Sequence, residues 1–346
     1  MRTLVVRLDS AGDVLLAGPA IRQVARHSDH VSLLCGPRGR AAAELLPGVD
    51  DVLEWCCPWI DPEPQAVSQT DVRALVDRVW FGRYDRALVL TSFHQSPLPL
   101  ALLLRLAGVP WVGAISEDYP GSLLDLRHRV PEELAESERA LSLARAAGFP
   151  AAGPATLAVR GPLPDVSAHT GAGPYVVFHP GADAEARRPS AEHSRSLVAG
   201  LVASGYRVLV TGSAGERTLT GYVAAGLAQD LGGALGLPEL AAVLERAEVV
   251  VAPNTGPAHL AAAVGTPVVS LFAPVVPAVK WAPYGVPRVL LGDQTAPCRE
   301  TRARQCPVPG HPCLSSITPE AVVAAVAGLA ADARAHRSRK ADHVLL

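Results

Sequence analysis

Apolar positions along the chain fall into short unbroken runs that alternate with stretches of helical spacing. Residues 3–8, Thr-Leu-Val-Val-Arg-Leu, read as a buried strand, and residues 14–27 follow as a helix with Leu15, Ile21 and Val24 near one face. Val31–Cys35 predicts a second strand, residues 41–46 a helix, Val52–Trp55 a third strand, residues 71–80 a helix and Arg86–Leu90 another buried strand. Helices are predicted at 98–107 and at 132–147, the latter polar with Glu/Arg pairs at helical spacing. Residues 148–174 lose the periodicity and carry Pro and Gly throughout, which marks a linker.

A second alternation follows. Strands are predicted at 175–179, 207–211, near 231–233, at 248–252 and at 267–272, with helices at 191–204, 216–228, 239–246 and 259–264. Loops cover 273–286 and 293–316. Thr318-Pro-Glu320 caps a last helix to about residue 333, and the polar, basic tail 335–346 reads as loose. Strands apolar on both faces, alternating with helices, specify parallel sheets covered on both sides. The expectation is an α/β chain of two Rossmann-like, doubly wound domains at residues 1–160 and 172–317, with 318–346 as a C-terminal helix and tail. Ligands of such sheets bind beyond the carboxyl ends of the strands, so a cleft between the domains is the expected site.

Composition narrows the function. The chain has 346 residues, 49% hydrophobic and 18% charged, with a net charge of -2. That is a globular composition with no bulk attraction to nucleic acid, and no aromatic-plus-basic RNA-binding motif is present. Lysine is nearly absent while Ala, Arg, Gly and Pro abound, a bias of base composition without mechanistic content. No basic region followed by an apolar core and cleavage site opens the sequence, and the run Leu98–Val109 is too short and too interrupted to span a bilayer. A cytoplasmic monomer is expected, with contact at the inner face of a membrane left open. Cys298, Cys306 and Cys313, with His311, lack the close paired spacing of common zinc sites, so no metal is expected and these read as reduced loop thiols.

The candidate chemistry gathers at turns after predicted strands. Asp13 follows Gly12 between the first strand and helix. It reads either as a helix cap or as a general base, and the helix dipole there keeps a carboxylate ionised but weakly basic. His94 and Gln95 follow the strand at 86–90 and sit on the same side; a lone histidine there is more often an ordinary loop residue. Gly181 permits a tight turn after strand 175–179, and Arg187-Arg188 before the next helix suits a bidentate phosphate clamp or a solvated basic pair. Thr211-Gly212-Ser213-Ala-Gly-Glu216 reads weakly as a phosphate or ribose loop. Asn254-Thr255-Gly256-Pro-Ala-His259 joins a buried strand to a helix that Asn254 or Thr255 can cap, and the strand, turn and helix N-terminus together form a phosphate seat. The dinucleotide and P-loop fingerprints and the serine-hydrolase elbow are all absent. Asp118 and Asp125 lack the pattern of a retaining carboxylate pair.

Taken together these stretches resemble glycosyltransferase family 9, the heptosyltransferases. The resemblance rests on Gly12-Asp13-Val-Leu-Leu-Ala-Gly-Pro-Ala-Ile21, His179-Pro-Gly-Ala182, Leu231-Gly-Gly233, Asn254-Thr-Gly-Pro-Ala-His-Leu260 through Pro267, and Cys306-Pro-Val-Pro-Gly-His-Pro-Cys313, in order from residue 1 to about 325. It implies a GT-B fold with acceptor on the N-terminal side and nucleotide sugar on the C-terminal side. It also implies inverting transfer, with Asp13 as base and no cofactor beyond a nucleotide-sugar donor, usually ADP-heptose. The acceptor would be a glycan, a lipid-linked glycan or a small metabolite. Donor contacts map to Gly181, Arg187, Thr211, Gly212, Ser213, Glu216, Asn254, Thr255, Gly256 and His259, and acceptor-side positions to Gly12, His94 and Gln95. Arg187 takes the place of the family's basic residue, but Pro189-Ser190 replaces Trp-Pro, and Asn254 stands where the family often has Asp. Those departures keep a non-catalytic nucleotide-sugar binder in play, and a nucleotide-sugar epimerase of the same fold is the rival among enzymes.

Overall fold

The computed structural model describes residues 1–131, 133–151 and 153–344, with side chains described to residue 333. The chain divides into two compact units, Met1–Arg160 and Gly161–Leu346. In the first unit the elements run β1 (Arg2–Arg7), α1 (Ala11–Ala25), β2 (His30–Cys35), α2 (Arg40–Leu45), β3 (Asp51–Glu54), α3 (Gln69–Gly82), β4 (Arg86–Val89), α4 (Leu98–Leu106), β5 (Val112–Ile115), β6 (Leu126–His128) and α5 (Glu136–Ala146). All strand pairings are parallel, in the order β3-β2-β1-β4-β5-β6. The alternation along β1 explains its two faces: Leu4, Val6 and Leu8 pack with Leu75, Val79, Leu100 and Leu104 of α3 and α4, so Val5 and Arg7 point the other way. On that other side α1, buried over most of its surface, packs against α5.

The second unit runs α6 (Ser167–Thr170), β7 (Val176–Phe178), α7 (Ala191–Ala203), β8 (Val208–Val210), α8 (Arg217–Ala224), β9 (Gln229–Asp230), α9 (Leu237–Arg246), β10 (Val249–Pro253), α10 (Gly256–Ala263), β11 (Val268–Leu271), α11 (Ala278–Trp281), β12 (Arg288–Leu291), α12 (Pro312–Ser315) and α13 (Pro319–Val344). Its sheet is also parallel, in the order β12-β11-β10-β7-β8-β9. The central strands are continuous β-branched runs because both faces are covered; Val249, Val250 and Val251 are fully buried. Helix α13 packs against α7 and the strands β10 to β12. The close approach is made at Gly200, where an added Cβ would come within 2.6 Å of Pro319.

Several elements differ from the sequence-based expectation. Strands β5, β6 and β12 were not expected: β5 is Val-Gly-Ala-Ile, weak in strand propensity, and β6 is a three-residue edge strand with polar Arg127 and His128. Helix α1 begins at Ala11, so Ser10 and not Asp13 is its N-cap, and Asp13 lies in the first turn. The helix expected at 132–147 starts at Glu136, residue 132 lying outside the described residues. Helix α13 continues to Val344 where a loose tail was expected, since no Gly or Pro interrupts the stretch beyond Gly328; residues 345 and 346 lie outside the described residues. No helix among the described residues is long and apolar enough to cross a membrane.

Candidate functional site

Strand order reverses direction at β1/β4 in the first unit and at β7/β10 in the second. A crevice opens at the carboxyl ends of such strands, and ligands of open α/β sheets bind there. Both groups of candidate residues lie at these ends.

In the first unit β1 delivers Arg7 to the carboxyl edge, buried, and three carboxylates surround it. Arg7 Nη2 donates to Asp13 Oδ1 at 3.0 Å and to Ser92 Oγ at 2.8 Å, and Nη1 donates to Glu136 Oε2 at 3.2 Å. Arg7 Nε lies 3.0 Å from Asp9 Oδ2 as an ion pair without hydrogen-bond alignment. Ser10 Oγ donates to Asp13 Oδ2 at 2.8 Å, and Gln95 Nε2 donates to Asp9 Oδ1 at 2.6 Å. Arg139 Nε stands 3.4 Å from Glu136 Oε1. Burial opposes the Arg7 charge, but Asp9, Asp13 and Glu136 more than reverse that, so the guanidinium stays protonated. Burial, with the negative neighbours Asp13 and Glu136, pushes the Asp9 carboxyl up to about 6 in spite of Arg7 and Gln95. Burial also raises Glu136, against the pull of Arg7 and Arg139.

Asp13 and Gln95 therefore meet in one network. Gly12 is buried in the first turn of α1 beside them. His94 is exposed and stacks edge-on with Phe93 at 5.3 Å between centroids. Sequence reasoning missed Arg7, Asp9, Ser92 and Glu136. The available signal was Arg7 ending an apolar strand run, with Asp9 two residues on. Asp118 and Asp125 have structural duties, accepting from Ser96 Oγ and from Arg105 and the Val112 amide respectively.

In the second unit, turns after β7, β8 and β10 come together because these strands are neighbours. His179 N bonds Val251 O at 2.9 Å, Thr211 N bonds Phe178 O at 3.0 Å, and Gly233 N bonds Gly212 O at 2.8 Å, which ties in the Leu231-Gly-Gly segment. Glu216 Oε2 accepts from both the amide and the hydroxyl of Ser213, each at 2.8 Å, in a capping box. Its Oε1 lies over Gly181, where an added Cβ would sit 1.9 Å away. Gly181→Ala is therefore expected to displace the Glu216 carboxylate and break its capping-box bonds, costing about 0.5–2 kcal/mol. Thermal unfolding of this variant against wild type checks the cost.

His179 is buried, with Nδ1 in hydrogen-bond contact with Thr211 Oγ1 at 3.1 Å. Burial drives its pKa down to about 4, against the charge of Glu216. The folded value lies below the free histidine value of 6.5, so the unfolded chain binds the proton first as pH falls. Stability from this group is complete above about 6.5 and is lost as pH falls toward 4. His179→Gln should flatten the decline of unfolding temperature between pH 6.5 and 4, seen by calorimetry.

Asn254 and Thr255 do not cap α10 as expected. Thr255 occupies the N-cap position, but no side-chain cap bond forms. Asn254 is 5% exposed, and its Nδ2 is buried without a hydrogen-bond partner. His259 is buried on α10, and Gly256 is its first residue. Arg187 ends a short 3-10 turn, Glu185–Arg187, and is half-buried. Cys298, Cys306 and Cys313 are free thiols within or against the second unit's core. Among the described residues no group of three or more His, Cys, Asp or Glu side chains is placed to hold a metal ion. A hollow of about 320 Å³ lined by Val79, Trp80, Arg83, Tyr84 and Ala107–Val109 lies at the amino ends of β4 and β5, the opposite edge from the Arg7 network.

Comparison with known proteins gives this arrangement a family. Residues 72–311 match the model for glycosyltransferase family 9 (heptosyltransferase). A curated relative, lipopolysaccharide heptosyltransferase 1 of Pseudomonas aeruginosa, is 39% identical over 129 residues, and the match spans 36% of each chain. Among solved structures, ADP-heptose lipopolysaccharide heptosyltransferase II of E. coli superposes with TM-score 0.73 at 20% identity, covering 96% of this chain and 99% of that one. The E. coli heptosyltransferase WaaC with ADP gives 0.71 at 21%, covering 95% and 100%. A family 9 protein of Veillonella parvula gives 0.76 at 16%, covering 96% and 97%. These likenesses identify the fold as that of the heptosyltransferases, GT-B, with two parallel α/β units. With more than half its length matched by the family model, the chain belongs to glycosyltransferase family 9.

Proposed function

We propose that the protein is an inverting glycosyltransferase that moves a sugar, a heptose on present likeness, from an ADP-linked donor to a hydroxyl of a glycan, lipid-linked glycan or small metabolite. The observation that carries this reading is the convergence at β7, β8 and β10 of Gly181, Thr211, Gly212, Ser213, Glu216 and a buried, unpartnered Asn254 amide at a helix N-terminus. An orphaned buried donor costs about 1–3 kcal/mol, so a ligand that accepts from it recovers that cost. The E. coli heptosyltransferase WaaC is solved with ADP and with ADP-2-deoxy-2-fluoro heptose, which supports an adenine nucleotide donor here.

In the mechanism, the diphosphate lies at the N-terminus of α10, with Thr255, Gly256 and His259, and takes Arg187 as a charged clamp. Glu216, in the short 3-10 turn after β8, offers an acceptor to ribose hydroxyls. Asp13 in the first unit accepts the acceptor hydroxyl's proton as its oxygen bonds to the anomeric carbon and the diphosphate leaves. The helix N-termini and Arg187 carry the leaving group's charge, so the reading needs no metal or other cofactor. Arg187→Ala tests the donor half: affinity for ADP should fall about tenfold or more by calorimetric titration, since a charge-assisted phosphate bond contributes about 1.5–3 kcal/mol. An unchanged titration counts against the clamp.

A further inference from the structure

One cation, Arg7, serves three carboxylates, and these are not equally placed. Asp13 has a hydrogen bond from Arg7 Nη2, a second from Ser10 and a place in the first turn of α1. All three favour its ionised form, which makes it a poor proton acceptor. Glu136 has a second cation of its own in Arg139. Among the described residues Asp9 has only the poorly aligned Arg7 Nε and the neutral amide of Gln95. We propose that Asp9 is a positioning residue for Asp13: by competing for Arg7 it leaves Asp13 basic enough to take a proton. This rests on the reading of Asp13 as the acceptor's base.

The charged and titratable groups facing Asp9 are Arg7 from β1, Asp13 from α1 and Glu136 from α5, with Gln95 after β4. The thiol of Cys57 after β3 also lies near; burial pushes it up to about 12, so it stays neutral. When Asp9 is ionised, its negative charge raises the proton affinity of Asp13 and shares the Arg7 charge. When Asp9 is protonated, Arg7 turns to Asp13 and Glu136 alone, and Asp13 becomes a weaker base. The Asp9 carboxyl is already pushed up to about 6. The site then loses base strength as pH falls through that value.

The test is a carboxyl-carbon NMR titration of the full chain labelled at aspartate, with the Asp13 signal assigned from Asp13→Asn. In Asp9→Asn, Asp13 should titrate about half to one pH unit lower than in wild type, roughly a three- to tenfold loss of proton affinity. Gln95→Leu keeps the Asp9 carboxyl but removes the donor that steadies its ionised form. There the Asp9 titration should move up, and the inflection it imposes on the Asp13 signal should move with it. An unmoved Asp13 titration in folded Asp9→Asn, or an Asp13 inflection that ignores Asp9 in Gln95→Leu, overturns the proposal. Neither result touches the role of Asp13, which is judged separately by turnover of Asp13→Asn. If Asp9→Asn fails to fold, the Gln95→Leu arm decides alone.

Discussion

Asp13→Asn should leave nucleotide-sugar affinity near that of wild type and reduce sugar transfer by about 10²–10⁴-fold, the usual contribution of a positioned general base. The substitution keeps size and hydrogen-bonding shape. Its carbonyl oxygen still accepts from Arg7 Nη2, now 3.0 Å from Oδ1. What is lost is the negative charge that receives the hydroxyl proton. The fold should not suffer, because three carboxylates crowd one guanidinium and removing one charge relieves their mutual repulsion. Steady-state rates and donor titration on the same preparation separate the two effects. Turnover equal to wild type removes Asp13 from the chemistry.

The second large effect is expected at Asn254. Its side chain is 5% exposed, and Nδ2 is buried with no partner, at the carboxyl end of β10 beside the turn that follows β7. A buried amide donor suits a ligand oxygen that only accepts, such as a diphosphate oxygen. Asn254→Leu keeps the volume and removes that donor. With an apolar side chain facing a diphosphate oxygen, ADP binding should weaken by about tenfold, or about 1.4 kcal/mol. Calorimetric titration of ADP against the folded variant checks this. Unchanged ADP affinity in Asn254→Leu would place the Asn254 amide away from the diphosphate.

The sequence makes the fold legible where strands are buried on both faces. β1 and β10 are near-continuous Val and Leu runs, the pattern of strands covered on both faces. The strands β5, β6 and β12 escaped because their signals are short and diluted by Gly, Ala and Arg; they are strands because neighbours recruit them into an existing sheet. The candidate site is legible only in part. Glycine turns after strands reveal Gly12-Asp13, Gly181 and Asn254-Thr255-Gly256, since local geometry dictates glycine or short polar residues there.

Charge networks are another matter. Glu136 meets Arg7 across 129 residues of sequence, through the packing of α5 on α1, and nothing local announces it. Asp9 looks like a turn residue until the structure places it against the same guanidinium. The expected capping by Asn254 or Thr255 failed for a related reason. Both carry the right oxygen, yet the Thr255 side chain makes no cap bond and the Asn254 amide is left unpaired in a buried position.

The most direct measurement is turnover of a panel of ADP-, GDP- and UDP-sugars, including ADP-heptose, by the full chain with and without glycan and metabolite extracts, read by mass spectrometry. The account predicts release of ADP from ADP-heptose together with a new heptosyl conjugate that appears only with an acceptor and disappears in Asp13→Asn. Conversion of the sugar without any conjugate, or tight nucleotide-sugar binding with no turnover across the panel and extracts, would contradict it.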